Sequence, residues 1–191
     1  MSGRLFIVSG PSGAGNSSLC NAALQQYPAL QLCISCTTRA PRSGEMDGRE
    51  YHFLRTDDFN DQREHGAFLE WAHVHGNLYG TREADVESIL ATGADVLLEI
   101  DWQGAEQVAE KLPSAIRVFI SPPSLPELRR RLISRGQDED DVIACRIAVA
   151  QAEMEHAEEA HYQIINDDFE ATLKQLLFIF TCDDCNLRLP S

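Results

Sequence analysis

A chain of 191 residues, 43% apolar and 24% charged, is long enough to bury a core as one domain without disulfides or a structural metal. Its net charge of −14 excludes nucleic acid and anionic membrane as main partners, since both need a basic face. No apolar run approaches the roughly 18 residues of a membrane span, and no signal-peptide core precedes Leu5, so a cytoplasmic location is expected. The cysteines, Cys20, Cys33, Cys36, Cys145, Cys182 and Cys185, follow no secreted framework and are expected as reduced thiols. Cys182 and Cys185 are spaced like metal ligands, but no second pair completes a zinc site, and the histidines show no metal spacing.

In chain order, Leu5–Ser9 predicts a buried strand, Gly10-Pro11-Ser12-Gly13-Ala14-Gly15 a glycine-rich turn, and Asn16-Ser17-Ser18-Leu19 the opening of a helix. The pattern is that of a phosphate-binding loop, G-x-x-x-x-G-K-[S/T]. Its glycines let successive backbone N–H groups point at phosphate oxygens, and the helix N-terminus adds a favourable dipole. Ser17 stands where a hydroxyl ligand of Mg²⁺ belongs, whereas Asn16 replaces the lysine. The helix is expected to run from Ser17 to Gln26 and stop at Tyr27-Pro28, with a short strand over Leu30–Ile34.

From Ser35 to about Thr81 the texture changes to arginines, glycines and aromatics with no long apolar strand, which reads as a small insertion carrying a binding site and one helix near Asp57–His65. Beyond it the spacing predicts a helix over Arg82–Ala91, a strand over Ala94–Asp101 with carboxylates at its end, a helix over Gln103–Leu112 and a strand over Ile116–Ile120. Ser121-Pro122-Pro123-Ser124 makes a turn and N-cap for an arginine-rich helix, Leu125–Ser134, which Arg135-Gly136-Gln137-Asp138 breaks. A long helix over about Glu139–Glu159, a strand over Tyr162–Ile165 and a helix from Asp167 to about Ile179 follow. Strands alternating with helices predict an α/β fold with a parallel core sheet flanked by helices.

Within the insertion, Arg39 and Arg42 flank a proline that stiffens their loop. Two guanidinium forks with hydroxyls at Ser35 and Tyr51 suit a phosphate monoester. Taken in order, the segments Gly10–Ser18, Ser35–Phe53, Phe68-Leu69-Glu70-Trp71, Gly76–Thr81, Ile100–Gly104, Pro122–Ser124, Arg131–Gly136 and Ile165–Asp168 identify the chain, to about Asp168, as resembling the guanylate kinase family of P-loop nucleoside-monophosphate kinases. The resemblance implies one domain with a core (1–34, 82–124 and 160–191), a GMP-binding insertion (about 35–81) and a lid with its long helix (about 125–159). It also implies the reaction ATP + GMP ⇌ ADP + GDP, with Mg²⁺, in purine nucleotide metabolism.

By the same resemblance, ATP meets Gly10, Pro11, Ser12, Gly13, Ala14, Gly15, Asn16 and Ser17, with Asn166 at adenine. The GMP phosphate meets Ser35, Arg39, Arg42, Tyr51 and Tyr79, and guanine meets Glu70 and Thr81. Asp101, with Glu99 two residues earlier on the same strand face, helps hold GMP and the metal region. Arg131, Arg135 and Arg146 reach the nucleotide phosphates when the lid closes. The chemistry of Glu70 agrees: a carboxylate accepts from both N1–H and the exocyclic amine of guanine, whereas adenine offers it neither donor.

The chain departs from the family at Asn16 and in its tail from Phe178 onward, which lacks the polar, basic helical end expected of bacterial members. Losing one charge-assisted phosphate contact costs about 1.5–3 kcal/mol, a loss of roughly tenfold to more than a hundredfold in rate or affinity. Two readings besides a slowed GMP kinase stay open on the residues alone. One is an inactive guanylate-kinase-like module that binds GMP or a protein partner. The other is a kinase for a different nucleoside monophosphate, which Glu70 and Thr81 disfavour.

Overall fold

The computed structural model describes residues 3–74, 76–135 and 139–182, with the backbone alone at Arg135. In chain order these form β1 (Leu5–Ser9), α1 (Asn16–Gln26), β2 (Leu30–Leu32), β3 (Cys36–Thr37), β4 (His52–Phe53), α2 (Thr56–Glu64), β5 (Phe68–Val74), β6 (Asn77–Arg82), α3 (Glu83–Ala91), β7 (Asp95–Glu99), α4 (Trp102–Lys111), β8 (Ile116–Ser121), α5 (Leu125–Arg135), α6 (Asp140–Glu155), a 3₁₀ turn (His156–Glu159), β9 (Tyr162–Ile165) and α7 (Phe169–Thr181). They cluster into two compact units, one of Met1–Leu5 with Ala29–Ala115, the other of Phe6–Pro28 with Ile116–Ser191.

In the second unit β1 pairs in parallel with β8, and β8 with β9. Phe6, Ile7 and Val8 of β1 are fully buried, as expected of a parallel strand covered on both faces. Helix α1 packs with α7, whose Phe180 meets Phe6 edge to face at 4.8 Å. Leu128 and Leu132 of α5 close on Ile143 and Ala150 of α6. Ser124 caps α5 by accepting the Glu127 N–H, and Asp168 caps α7 by accepting that of Ala171. That second cap corrects the expected start: Asp167 and Asp168 precede α7, which begins at Phe169. The long helix is also shorter than expected, tightening into the 3₁₀ turn after Glu155.

In the first unit β2 and β7 pair in parallel. The stretch read as having no long apolar strand and one helix also forms a four-stranded sheet of order β4-β3-β6-β5, built on the β5–β6 hairpin. The seven-residue β5 was hidden because Glu70 and His73 interrupt its apolar run. Phe59 of α2 stacks on Phe68 of β5, with Cys36, Leu54 and Leu78 around them. The other face of β5 packs against α4. Among the described residues no helix is long and apolar enough to cross a membrane. Cys185 and the tail from residue 183 lie outside the described residues.

Candidate active site

The loop of the second unit is a cradle fixed from several sides. Gly15, in the left-handed region at φ 102°, is the N-cap of α1 and offers no side chain to the helix start. No acidic residue occupies the first turn of α1, so its free N–H groups and dipole are left for an anion. A Cβ at Gly15 would lie 2.5 Å from Nδ2 of Asn166, which donates instead to the Ala14 carbonyl at 2.6 Å. Asn166, 5% exposed, therefore buttresses the loop through its amide; the adenine contact expected of it rests on the resemblance alone.

Arg131 joins this group. Its Nη2 donates to the Asn166 carbonyl at 2.9 Å, and its Nε to Glu127 at 2.8 Å. Glu127 also takes both guanidinium donors of Arg130, and the two arginines hold its carboxyl down at about 2. Arg131 thus stands beside the loop, whereas Arg130 and Arg129 lie on the exposed side of α5. Arg146 is half-buried on α6; the side chain of Arg135, at the end of α5, lies outside the described residues.

Asn16 does not reach outward as a lysine would. Its Nδ2 turns back to the Gly10 carbonyl at 2.9 Å, tying the start of α1 to the start of the loop. Its Oδ1 is buried with no partner among the described residues. Asparagine has replaced a mobile charge by a loop staple. Ser17 is exposed on the first turn, and its hydroxyl is the kind of hard oxygen that Mg²⁺ accepts beside phosphate oxygens and water.

The first unit carries a second constellation. Ser35 and Thr81 hydroxyls lie 3.2 Å apart, and Thr81 sits opposite Glu70 in the hairpin register. Glu70 is 3% exposed, so the alternative of a surface carboxylate is excluded. Its carboxylate accepts from the Thr81 hydroxyl and backbone N–H, yet burial and the neighbouring Asp101 raise its pKa to about 7. A carboxylate held away from water beside a second, half-buried one creates a demand for N–H donors, which a donor-rich base edge meets.

Asp101 differs from expectation. Strand β7 ends at Glu99, so the two carboxylates share no strand face; Asp101 is the N-cap of α4. Its Oδ1 accepts the Gly104 N–H at 2.9 Å and its Oδ2 the Gln103 amide at 3.1 Å, while burial raises its pKa. Gly104 is required by close approach, because a Cβ there would lie 2.5 Å from Oε2 of Glu70. Gly104→Ala is therefore expected to displace a carboxylate that Thr81 already holds, at a strain of about 1–3 kcal/mol. Steady-state kinetics should show KM for GMP rising about tenfold with kcat little changed.

Tyr51 packs edge-on to Tyr79 and Phe53, and the Arg39 guanidinium lies 5.5 Å from the Tyr51 ring centroid. Glu45 has a role that its place in the sequence does not announce. It accepts from Arg39 Nη2 at 2.9 Å and, through its other oxygen, from the Arg42 backbone N–H at 2.7 Å, so one carboxylate organises the whole arginine loop. That hydrogen bond with Arg39 holds Glu45's pKa below its usual value. An acid six residues after Arg39 and three after Arg42 was the available signal. The Arg42 side chain is exposed and Glu99 is half-buried at the end of β7.

A nest of backbone donors at a helix start with Arg131 beside it, together with a buried glutamate and an arginine–tyrosine cluster in the first unit, are the marks of a P-loop nucleotide phosphotransferase. A family model described as guanylate kinase matches residues 2–181. A guanylate kinase of Cupriavidus metallidurans is 55% identical over 174 residues, 91% of this chain and 81% of that protein. One from Alkalilimnicola ehrlichii is 53% identical over 183 residues, 96% of this chain and 90% of that protein. The crystal structure of guanylate kinase from Anaplasma phagocytophilum superposes with a TM-score of 0.79 at 32% identity, covering 96% of this chain and 89% of that one. The chain belongs to the guanylate kinase family, and its α/β fold is that of the P-loop nucleoside-monophosphate kinases.

Proposed function

We propose that the chain transfers the γ-phosphoryl group of ATP to GMP, giving ADP and GDP. The observation that carries this reading is the buried carboxylate of Glu70, clasped by Thr81 and crowded by Asp101 in a member of the guanylate kinase family. Guanine N1–H and its 2-amino group supply two donors to Glu70; adenine has neither at those positions and would leave the charge buried and unmet.

The GMP phosphate is bound by Arg39, Arg42, Tyr51, Tyr79 and Ser35, with Glu45 holding Arg39 and the Arg42 amide in place. One oxygen of that phosphate attacks the γ-phosphorus of ATP, and the β-phosphate leaves with the bridging oxygen. The Gly10–Ser17 loop cradles the ATP phosphates through backbone N–H groups, and Asn166 keeps the loop in shape. Arg131, Arg135 and Arg146 offset the charge spread over the transferred oxygens. Ser17 would hold Mg²⁺, which supplies further charge neutralisation when bound. With Asn16 in place of lysine, this chemistry runs with one cation fewer and is correspondingly slow.

Chromatography of a reaction of the purified chain with GMP and MgATP tests the proposal. GDP and ADP should appear in equal amounts, with neither formed when GMP is left out. ATP loss independent of GMP, or no product after prolonged incubation, would overturn it and leave the binding-module reading in its place.

A further inference from the structure

The strand that carries Glu70 is interrupted immediately before it. Phe68 pairs with Arg82 and Glu70 with Thr81, so β5 holds one residue more than β6 over that step. In an unbroken strand Phe68 and Glu70 would share a face. Here Phe68 stacks on Phe59 of α2, and Arg63 of α2 lies 4.8 Å from the Trp71 ring, while the Glu70 carboxylate reaches Gly104 of α4. The bulge turns Glu70 from the α2 side to the α4 side. It also leaves the ladder irregular at Phe68 and Leu69.

Lys111 meets that irregularity. It is the last residue of α4, and its Nζ donates to the Leu69 carbonyl at 2.5 Å and the Phe68 carbonyl at 3.3 Å. Helix α4 begins with Asp101 and Gly104 and ends with Lys111, so one helix supplies the neighbouring carboxylate, the gap and the cation. Gln107 adds a second tie, exchanging hydrogen bonds with the Trp71 backbone at 3.2 and 2.8 Å.

We propose that Lys111 is a positioning residue for guanine recognition: by holding the two bulge carbonyls it aims the Glu70 carboxylate, and its positive charge favours the carboxylate form that accepts from the base. This rests on the reading of Glu70 as the guanine acceptor. The charged and titratable groups facing Glu70 are few. Asp101 works against ionisation and Lys111 favours it. Cys33 and Cys36 are buried thiols pushed up to about 12 and about 11, hence neutral, and Thr81 contributes only hydrogen bonds. Burial dominates and leaves the carboxyl raised to about 7; the Thr81 hydrogen bonds favour the ionised form most, and the Lys111 charge adds to them.

The test uses Lys111→Met, Lys111→Gln and Lys111→Arg in the full chain. A carbon-13 titration of the Glu70 carboxyl, in protein without nucleotide, should show its midpoint moving upward in the Met and Gln variants and returning in Arg. KM for GMP should rise about tenfold near neutral pH in the uncharged variants, shrink toward the parent value at alkaline pH, and recover in Arg, with kcat little changed. The Gln variant keeps a donor for the carbonyls, so its response separates charge from hydrogen bonding if Met folds poorly. A Glu70 midpoint unmoved by loss of the charge, or a KM increase equal at every pH, would overturn the proposal. Should the parent chain bind no GMP while the midpoint still follows Lys111, the functional reading fails and the electrostatic link alone remains.

Discussion

Glu70→Gln is expected to lower kcat/KM for GMP by about 10³, the largest loss of any single change in the first unit. Glutamine is nearly isosteric, yet it turns one acceptor oxygen into a donor amide. That amide faces either the Thr81 donors or a guanine N–H, and in either case a buried hydrogen bond is replaced by a repulsive contact. A charged hydrogen bond contributes about 1.5–3 kcal/mol and an unmet buried donor costs about 1–3 kcal/mol, which together give the expected factor.

Stability should move the other way. The folded pKa of Glu70, about 7, lies above the 4.5 of an unperturbed glutamate, so the folded state resists its ionisation. At acid pH, where Glu70 is protonated folded and unfolded, the residue carries no such cost. As pH rises from 4.5 through about 7, the unfolded chain releases the proton first and the parent loses stability, by about 3 kcal/mol once the folded carboxyl is also ionised. Denaturant unfolding at several pH values should show Glu70→Gln lacking this decline. With Glu70 as the proposed guanine acceptor, GMP affinity in the parent should increase over the same window, because only the ionised form would accept both guanine donors.

Asn16→Lys should raise kcat by roughly tenfold to a hundredfold and lower KM for ATP, since it restores one charge-assisted contact worth about 1.5–3 kcal/mol. The change also removes the Nδ2 bond to the Gly10 carbonyl and the unpartnered Oδ1. Gly15, Asn166 and Ala14 keep the cradle in place without that staple, so the loop should tolerate the lysine. Steady-state kinetics with ATP varied at saturating GMP measures both effects. A fall in kcat would mean instead that the loop depends on its asparagine.

The parallel strands were legible because each is a short apolar run punctuated by glycine, proline or a capping residue, as at Leu5–Ser9 before Gly10 and Tyr162–Ile165 before the Asp168 cap. The insertion was not, because its sheet buries polar side chains. Glu70, Thr37 and Thr81 are all inside, where an alternating pattern expects carbon. The glycine-rich turn between β1 and α1 could be read from its spacing, and it falls where that spacing put it, with Gly15 as the N-cap of α1. The roles of Lys111 and Gln107 could not be read, because their partners lie 36 to 43 residues away in the chain. Asp101 was expected at a strand end and instead caps a helix: Asp-Trp-Gln-Gly reads equally well as either, and the Gly104 N–H decides for the cap.

The most direct measurement is a side-by-side assay of the purified chain with GMP and with AMP as acceptors, under saturating MgATP. The account expects kcat/KM to favour GMP by about 10³ or more, the discrimination a buried, hydrogen-bonding site imposes on a base lacking its donors. Comparable rates with the two acceptors would contradict it, because the Glu70 pocket would then not be reading guanine.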